Sequence, residues 1–186
     1  VFASLGEIGA MIATDRPLGE IIERALRNIN RLFGINEMLL QVRDEDLMQM
    51  LWWVVYGMPT ERAEKVIQNV TADYHPQEVI DLVLAEKYRV TSNTFFVPAE
   101  EWLKIVEIDP FADHPSYYAH PENVRAERKR PDEWLEADLY KLAMRDSAGN
   151  LIATLELDSS VDRKLLAKET IEAIETFAQM VGIALE

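Results

Sequence analysis

The stretch Met144 to Asp158, reading Met-Arg-Asp-Ser-Ala-Gly-Asn-Leu-Ile-Ala-Thr-Leu-Glu-Leu-Asp, constrains this chain most. Two apolar runs flank a polar turn that carries Gly149, the pattern of a β-hairpin. The second run leads into a long amphipathic helix ending Phe177-Ala178-Gln179-Met180-Val181-Gly182-Ile183-Ala184-Leu185-Glu186. Any fold holding this stretch needs antiparallel strands with a helix beside them. The helix reaches Glu186 without a Gly, Asn or Pro stop, and the chain begins at Val1, so the sequence reads as one module of a longer protein.

Upstream, Ser4 to Ala13 reads as a short helix with Leu5, Ile8, Met11 and Ile12 on one side. Pro17 is placed as the first residue of a second helix. There Leu18, Ile21, Ile22, Ala25, Leu26, Ile29, Leu32 and Phe33 keep helical spacing up to a stop at Gly34. Met38 to Val42 and Leu47 to Tyr56 read as strands about an Asp44-Glu45-Asp46 turn, closed by Gly57-Met58-Pro59. Helices over Thr60 to Val70 and Pro76 to Glu86 follow, then a strand over Arg89 to Val97 and a helix over Ala99 to Val106. Asp138 to Met144 is the next strand, leading into the hairpin. The order predicts an α+β fold with a mainly antiparallel sheet and the terminal helices packed on one face.

Between them lies Asp109 to Asp132, with four prolines, adjacent tyrosines and the run Arg125-Ala126-Glu127-Arg128-Lys129-Arg130. A loop of this length suggests a mobile lid. The chain has 186 residues, enough for one domain with a full core. Its net charge of −14 repels phosphate backbones, so nucleic acid is not an expected partner. No apolar run approaches the ~20 residues that span a bilayer, so membrane contact by this module is not expected. It has no cysteine, which removes disulfides, thiolate metal sites and cysteine nucleophiles together.

Three segments carry a family resemblance. Tyr88-Arg89-Val90-Thr91-Ser92-Asn93-Thr94-Phe95-Phe96-Val97-Pro98 is similar to a Tyr-Arg-(Ile/Val)-Ser-x-Ser-Tyr-Phe strand. Trp134 to Asp138 to Leu142 matches a Trp-x-x-x-Asp-Leu entry, and Gly149 to Asp158 with Glu172 to Glu186 matches a hairpin and final helix. Together they resemble a subgroup of prokaryotic GAF domains, sensor modules placed before histidine kinases, cyclases and other signalling outputs. There are departures: Ala153 stands where the pattern has a second glycine, and Leu166-Ala167-Lys168-Glu169 lacks the capping hydroxyl of the last helix. The cyclic-nucleotide pattern is not recognisable, and the cysteines of bilin-binding or methionine-sulfoxide-reducing relatives are absent.

The resemblance implies a central antiparallel sheet with terminal helices on one face and a ligand pocket on the other. Mapped onto this chain, Phe95, Trp102, Tyr117, Trp134 and Tyr140 become the candidate ligand-binding residues, with Phe96 and Tyr118 beside them. It implies a cytoplasmic regulatory module that binds an unidentified small molecule and signals through its terminal helices. The same aromatics could equally fill a second core, leaving a ligand-free dimerisation module. In the last helix Ile171, Ile174, Ala178, Val181 and Leu185 form one stripe and Phe177, Met180 and Ala184 another, which suggests a homodimer through the terminal helices.

Trp52 and Trp53 must point to opposite faces and read as core. His114 and His120 with Asp109 and Asp113 have no firm metal spacing, and His75 before Pro76 reads as a turn residue, so no metal is assigned. Glu100/Glu101 and Asp158/Asp162 read as solvated carboxylates, and no catalytic arrangement or nucleotide loop appears, so no enzyme is expected. The sequence names no cofactor.

Overall fold

The computed structural model describes residues 1–44, 49–64, 76–106, 118 and 120–186, without the side chains at 44, 49–53, 76–79, 106 and 121. Helices α1 (Phe2–Ala13) and α2 (Leu18–Phe33) precede strands β1 (Ile35–Asp44) and β2 (Gln49–Tyr56). A helical turn at 60–64, here α3, precedes α4 (Pro76–Val83), β3 (Thr94–Val97) and α5 (Ala99–Val106). Strands β4 (Leu139–Arg145) and β5 (Leu151–Ser160) and helix α6 (Lys168–Leu185) complete the order.

The strands form one five-stranded sheet in the order β2-β1-β5-β4-β3. All of its pairings are antiparallel, as expected from the sequence. The β4–β5 hairpin turns at Asp146, whose carboxylate accepts from the backbone N–H groups of Ala148 and Asn150 and from the Asn150 amide. Gly149 takes φ 89°, which a side chain would disfavour. Gly57 is still more restricted: its φ is 81°, and a Cβ there would stand 1.9 Å from the Asn36 carbonyl oxygen.

One face of the sheet carries α1, α2 and α6. Ile21, Ile22, Ala25, Leu26 and Ile29 of α2 and Ile171, Ile174, Phe177, Ala178 and Val181 of α6 pack with Met38, Leu40, Leu142, Met144, Leu155 and Leu157. Each buried Ile, Leu, Met, Val or Phe among them contributes ~1.5–3 kcal/mol by leaving water. The helical periodicity of α2 therefore reports its buried face, while Glu23 and Arg27 pair with each other outside. The opposite, far face carries a smaller cluster in which Phe95, Val97, Leu139 and Ala143 meet Val83, Tyr88, Ala99, Trp102, Ile105 and Leu135.

Three local readings shift. Pro17 caps α2 with an extended ψ of 132° and does not enter the helix. The helix expected to run to Glu86 ends at Val83, and a 3-10 turn spans Glu86–Tyr88. The strand expected from Arg89 begins only at Thr94, because the Val90 N–H and Thr91 N–H both turn back to the Thr94 carbonyl. The Asp44-Glu45-Asp46 turn beyond 44, the rest of the helix expected to Val70, His75 and residues 109–117 and 119 of the loop Asp109–Asp132 lie outside the described residues.

Candidate functional site

Alternation along β5 sends Ala153, Leu155 and Leu157 into the helix-side core and Thr154, Glu156 and Asp158 to the far face. A half-polar strand of this kind ordinarily faces water, but β5 lies at the centre of the sheet, and Thr154 and Glu156 are buried. Their neighbours on β1 and β4 complete a polar floor. Lys141 Nζ lies 3.1 Å from Glu156 Oε2 and donates to Gln41 Oε1 at 2.9 Å. Thr154 Oγ1 donates to the same Gln41 oxygen at 3.0 Å. An ion pair buried this far gives back little net stability, since desolvating both charges offsets their attraction.

Beside this floor, Arg62 of α3 reaches down to two strands at once. Its Nη1 lies 2.7 Å from Glu37 of β1 and its Nη2 2.8 Å from Asp158 of β5. Burial pushes the Asp158 carboxyl well above the usual carboxylate range, and the negative Glu156 and Glu37 push the same way against Arg62. Asp158, read from sequence as solvated, is thus one corner of an ion-paired cluster. Neither Lys141, Gln41, Glu156 nor Arg62 stood out in the sequence. Strict alternation through Thr154-Leu155-Glu156-Leu157-Asp158 was the available signal, and only the central place of β5 turns it into a buried polar row.

The aromatic candidates divide between the faces. Phe95 is buried in the far-face cluster, under the Arg89 guanidinium at 4.8 Å. Trp102 joins it from α5, and its indole N–H donates to the Tyr118 hydroxyl at 3.1 Å. Tyr140 and Trp134 instead belong to the helix-side core, with ring centroids 4.9 Å apart. The reason is register: Tyr140 pairs with Phe96, so Lys141 and Phe95 take the other face. Burial pushes the Tyr140 hydroxyl up to about 12, and it accepts the Leu166 backbone N–H at 3.2 Å. Trp134 also lines a cleft of about 280 Å³ with Glu37, Asp158, Ser160, His120 and Arg163, where β5 runs past the end of β4. Tyr117 and the side chains of Trp52 and Trp53 lie outside the described residues. Among the described residues no group of three or more histidines or carboxylates could hold a metal ion. His120 is exposed there, 3.6 Å from Glu122.

Two carboxylates fix the surroundings. Asp138, with its side chain wholly buried, accepts from the backbone N–H groups of Ala99 at the start of α5 and of Leu135. Both Arg128 guanidinium arms also reach it, at 3.1 and 2.7 Å. Glu175 of α6 is the second. One of its oxygens accepts from Thr91 Oγ1, from the Asn93 backbone N–H at 2.9 Å and from Thr94 Oγ1 at 2.6 Å. The turn that delivers Phe95 to the far face is thereby tied to the last helix.

This architecture is a GAF-like fold. The GAF domain/HD domain protein from Geobacter sulfurreducens superposes with a TM-score of 0.58 over 90% of this chain and 91% of its own, at 10% identity. A fragment of a methyl-accepting chemotaxis protein superposes with a TM-score of 0.50 over 97% of this chain and 93% of its own, at 11% identity. At such identities the likeness is one of fold. No protein-family model matches the sequence, and no curated protein matches it. No helix among the described residues is long and apolar enough to cross a membrane.

Proposed function

We propose that this chain is a non-catalytic cytoplasmic sensor module. It takes a small molecule on the far face of its sheet and passes that state through α6 to an attached output such as a histidine kinase or cyclase. The observation that carries this reading is the buried floor of Gln41, Lys141, Thr154 and Glu156. Apolar side chains of similar volume would stabilise the sheet as well or better, so polar groups kept there fit recognition better than stability. Phe95 and Trp102 would supply the apolar wall, with Tyr118 and Tyr117 arriving from the long loop as its lid. Trp134 and Tyr140 would support the site from behind the sheet. The named neighbours, a GAF domain/HD domain protein and a chemotaxis receptor fragment, agree with a signalling role.

Transmission needs an element that both the site and the output bias. The Glu175 tie supplies one, because β3 cannot shift without pulling on α6. A homodimer through the terminal helices would complete the route. Most of the second α6 stripe packs inside the monomer, since Phe177 is buried and Met180 half-buried. Phe2 (91% exposed) and Ile183 (59% exposed) remain for pairing. The direct experiment is mass spectrometry of small molecules released from purified protein. A compound that accompanies the wild type and is lost from the Lys141→Met, Glu156→Leu double variant is the expected result. If no compound accompanies the wild type, before or after incubation with a cell extract, the chain is a ligand-free dimerisation module.

A further inference from the structure

The cleft at the end of β5 is a second place for a ligand, apart from the far-face floor, since neither Gln41 nor Lys141 lines it. We infer that it takes a small zwitterion with an ammonium and a carboxylate close together, the pattern of a free α-amino acid. Its volume of about 280 Å³ suits a guest at the small end of the ~300–1,000 Å³ range of ligand pockets. One set of lining groups donates. Arg163 is exposed, and its guanidinium has no hydrogen bond or ion pair among the described residues. Its carbonyl accepts the Trp134 backbone N–H at 2.8 Å, which sets the two residues side by side. Trp134 is only 3% exposed, and its indole N–H is buried without an acceptor among the described residues. A buried donor left in this state lowers stability until an acceptor meets it. A guest carboxylate answers both the guanidinium and the indole N–H.

A second set of lining groups is acidic. Glu37 and Asp158 both line the cleft and share the Arg62 guanidinium, at 2.7 and 2.8 Å. Their side chains keep 14% and 21% exposure, so a guest can touch them. Burial and the negative Glu156 and Glu37 hold the proton on Asp158 against the pull of Arg62, so one guanidinium does not balance this group. Glu136 adds a third carboxylate, which accepts the His120 backbone N–H at 2.8 Å and meets no cation among the described residues. An ammonium supplies the missing positive charge. An anion without one would stand beside three carboxyl groups for a single free guanidinium, and a bare cation would leave Arg163 and the indole N–H unanswered. A guest carrying both charges meets both sets. Val161, 69% exposed, leaves apolar surface beside them for a small side chain.

The test titrates a mixture of the common α-amino acids at millimolar concentration into the wild-type protein, with the Trp134 indole N–H resonance followed by two-dimensional NMR. The free amino acids are expected to move it saturably. The same mixture as amides, which lack the carboxylate, and as N-acetyl derivatives, which lack the ammonium, is expected to leave it in place. Arg163→Gln, at an exposed position, is expected to weaken the response about tenfold. If either derivative moves the resonance as strongly as the free amino acids, one charge is enough and the zwitterion is wrong. If no mixture moves it, or if Arg163→Gln responds as the wild type does, the cleft is not this site.

Discussion

Glu175 gathers three donors from a turn more than eighty residues away in sequence, and it does so from inside the protein. Removing such an acceptor leaves buried donors unsatisfied, which costs more than the bonds contribute. Glu175→Leu is expected to lose about 2–4 kcal/mol in urea unfolding, and Thr94→Val about 1 kcal/mol. Equal losses would mean that the carboxylate is not the shared acceptor. Asp158 carries a pH signature. Its carboxyl holds its proton more tightly folded than unfolded, so the stability it contributes is present below the ordinary carboxylate pKa. That contribution is lost as pH rises through the raised folded value. Asp158→Asn is expected to flatten this part of the thermal stability profile, and an unchanged profile would show that Asp158 does not carry it. None of these roles was legible in single residues. Glu175 sits in an acidic helix among other acids, and a carboxylate's partners are set by which strand turns beneath it.

At the scale of elements, periodicity was a good guide wherever one face of an element is buried and the other wet. Helix α2 and the β4–β5 hairpin follow the sequence reading closely for that reason. It served less well where packing overrides local preference. Thr91, Phe95 and Phe96 favour β structure, yet the segment before Thr94 curls so that its hydroxyls and N–H groups can reach Glu175. Strand parity explains the division of the aromatics: nothing local tells that Tyr140 pairs with Phe96 and not Phe95. The Trp134-to-Asp138 motif was visible, but its work is structural, since Asp138 holds the first turn of α5 and Arg128 together. Asp138→Ala is expected to raise hydrogen exchange over 99–106 while leaving α2 protected. Uniformly faster exchange would instead mark Asp138 as a determinant of the whole fold.

For the whole molecule, the sheet separates two layers that the proposed function requires to communicate. The helix layer holds the larger core and the far layer the polar floor. Pairing through the helix layer is expected to depend on the apolar side chains left outside it, so Phe2→Ser with Ile183→Glu should shift sedimentation towards monomer. A wild-type protein that stays monomeric at high micromolar concentration would remove the dimer from the route. The central claim is that the far face and α6 are coupled through the turn at 91–94. A double-mutant cycle measured by hydrogen exchange of α6 reads that coupling directly. Phe95→Leu perturbs the far face, and Glu175→Leu cuts the tie. Phe95→Leu is expected to lower the protection of α6 in the wild type and to have little effect once Glu175 is replaced, a non-additivity above about 0.5 kcal/mol. Additive losses in the double variant would contradict it.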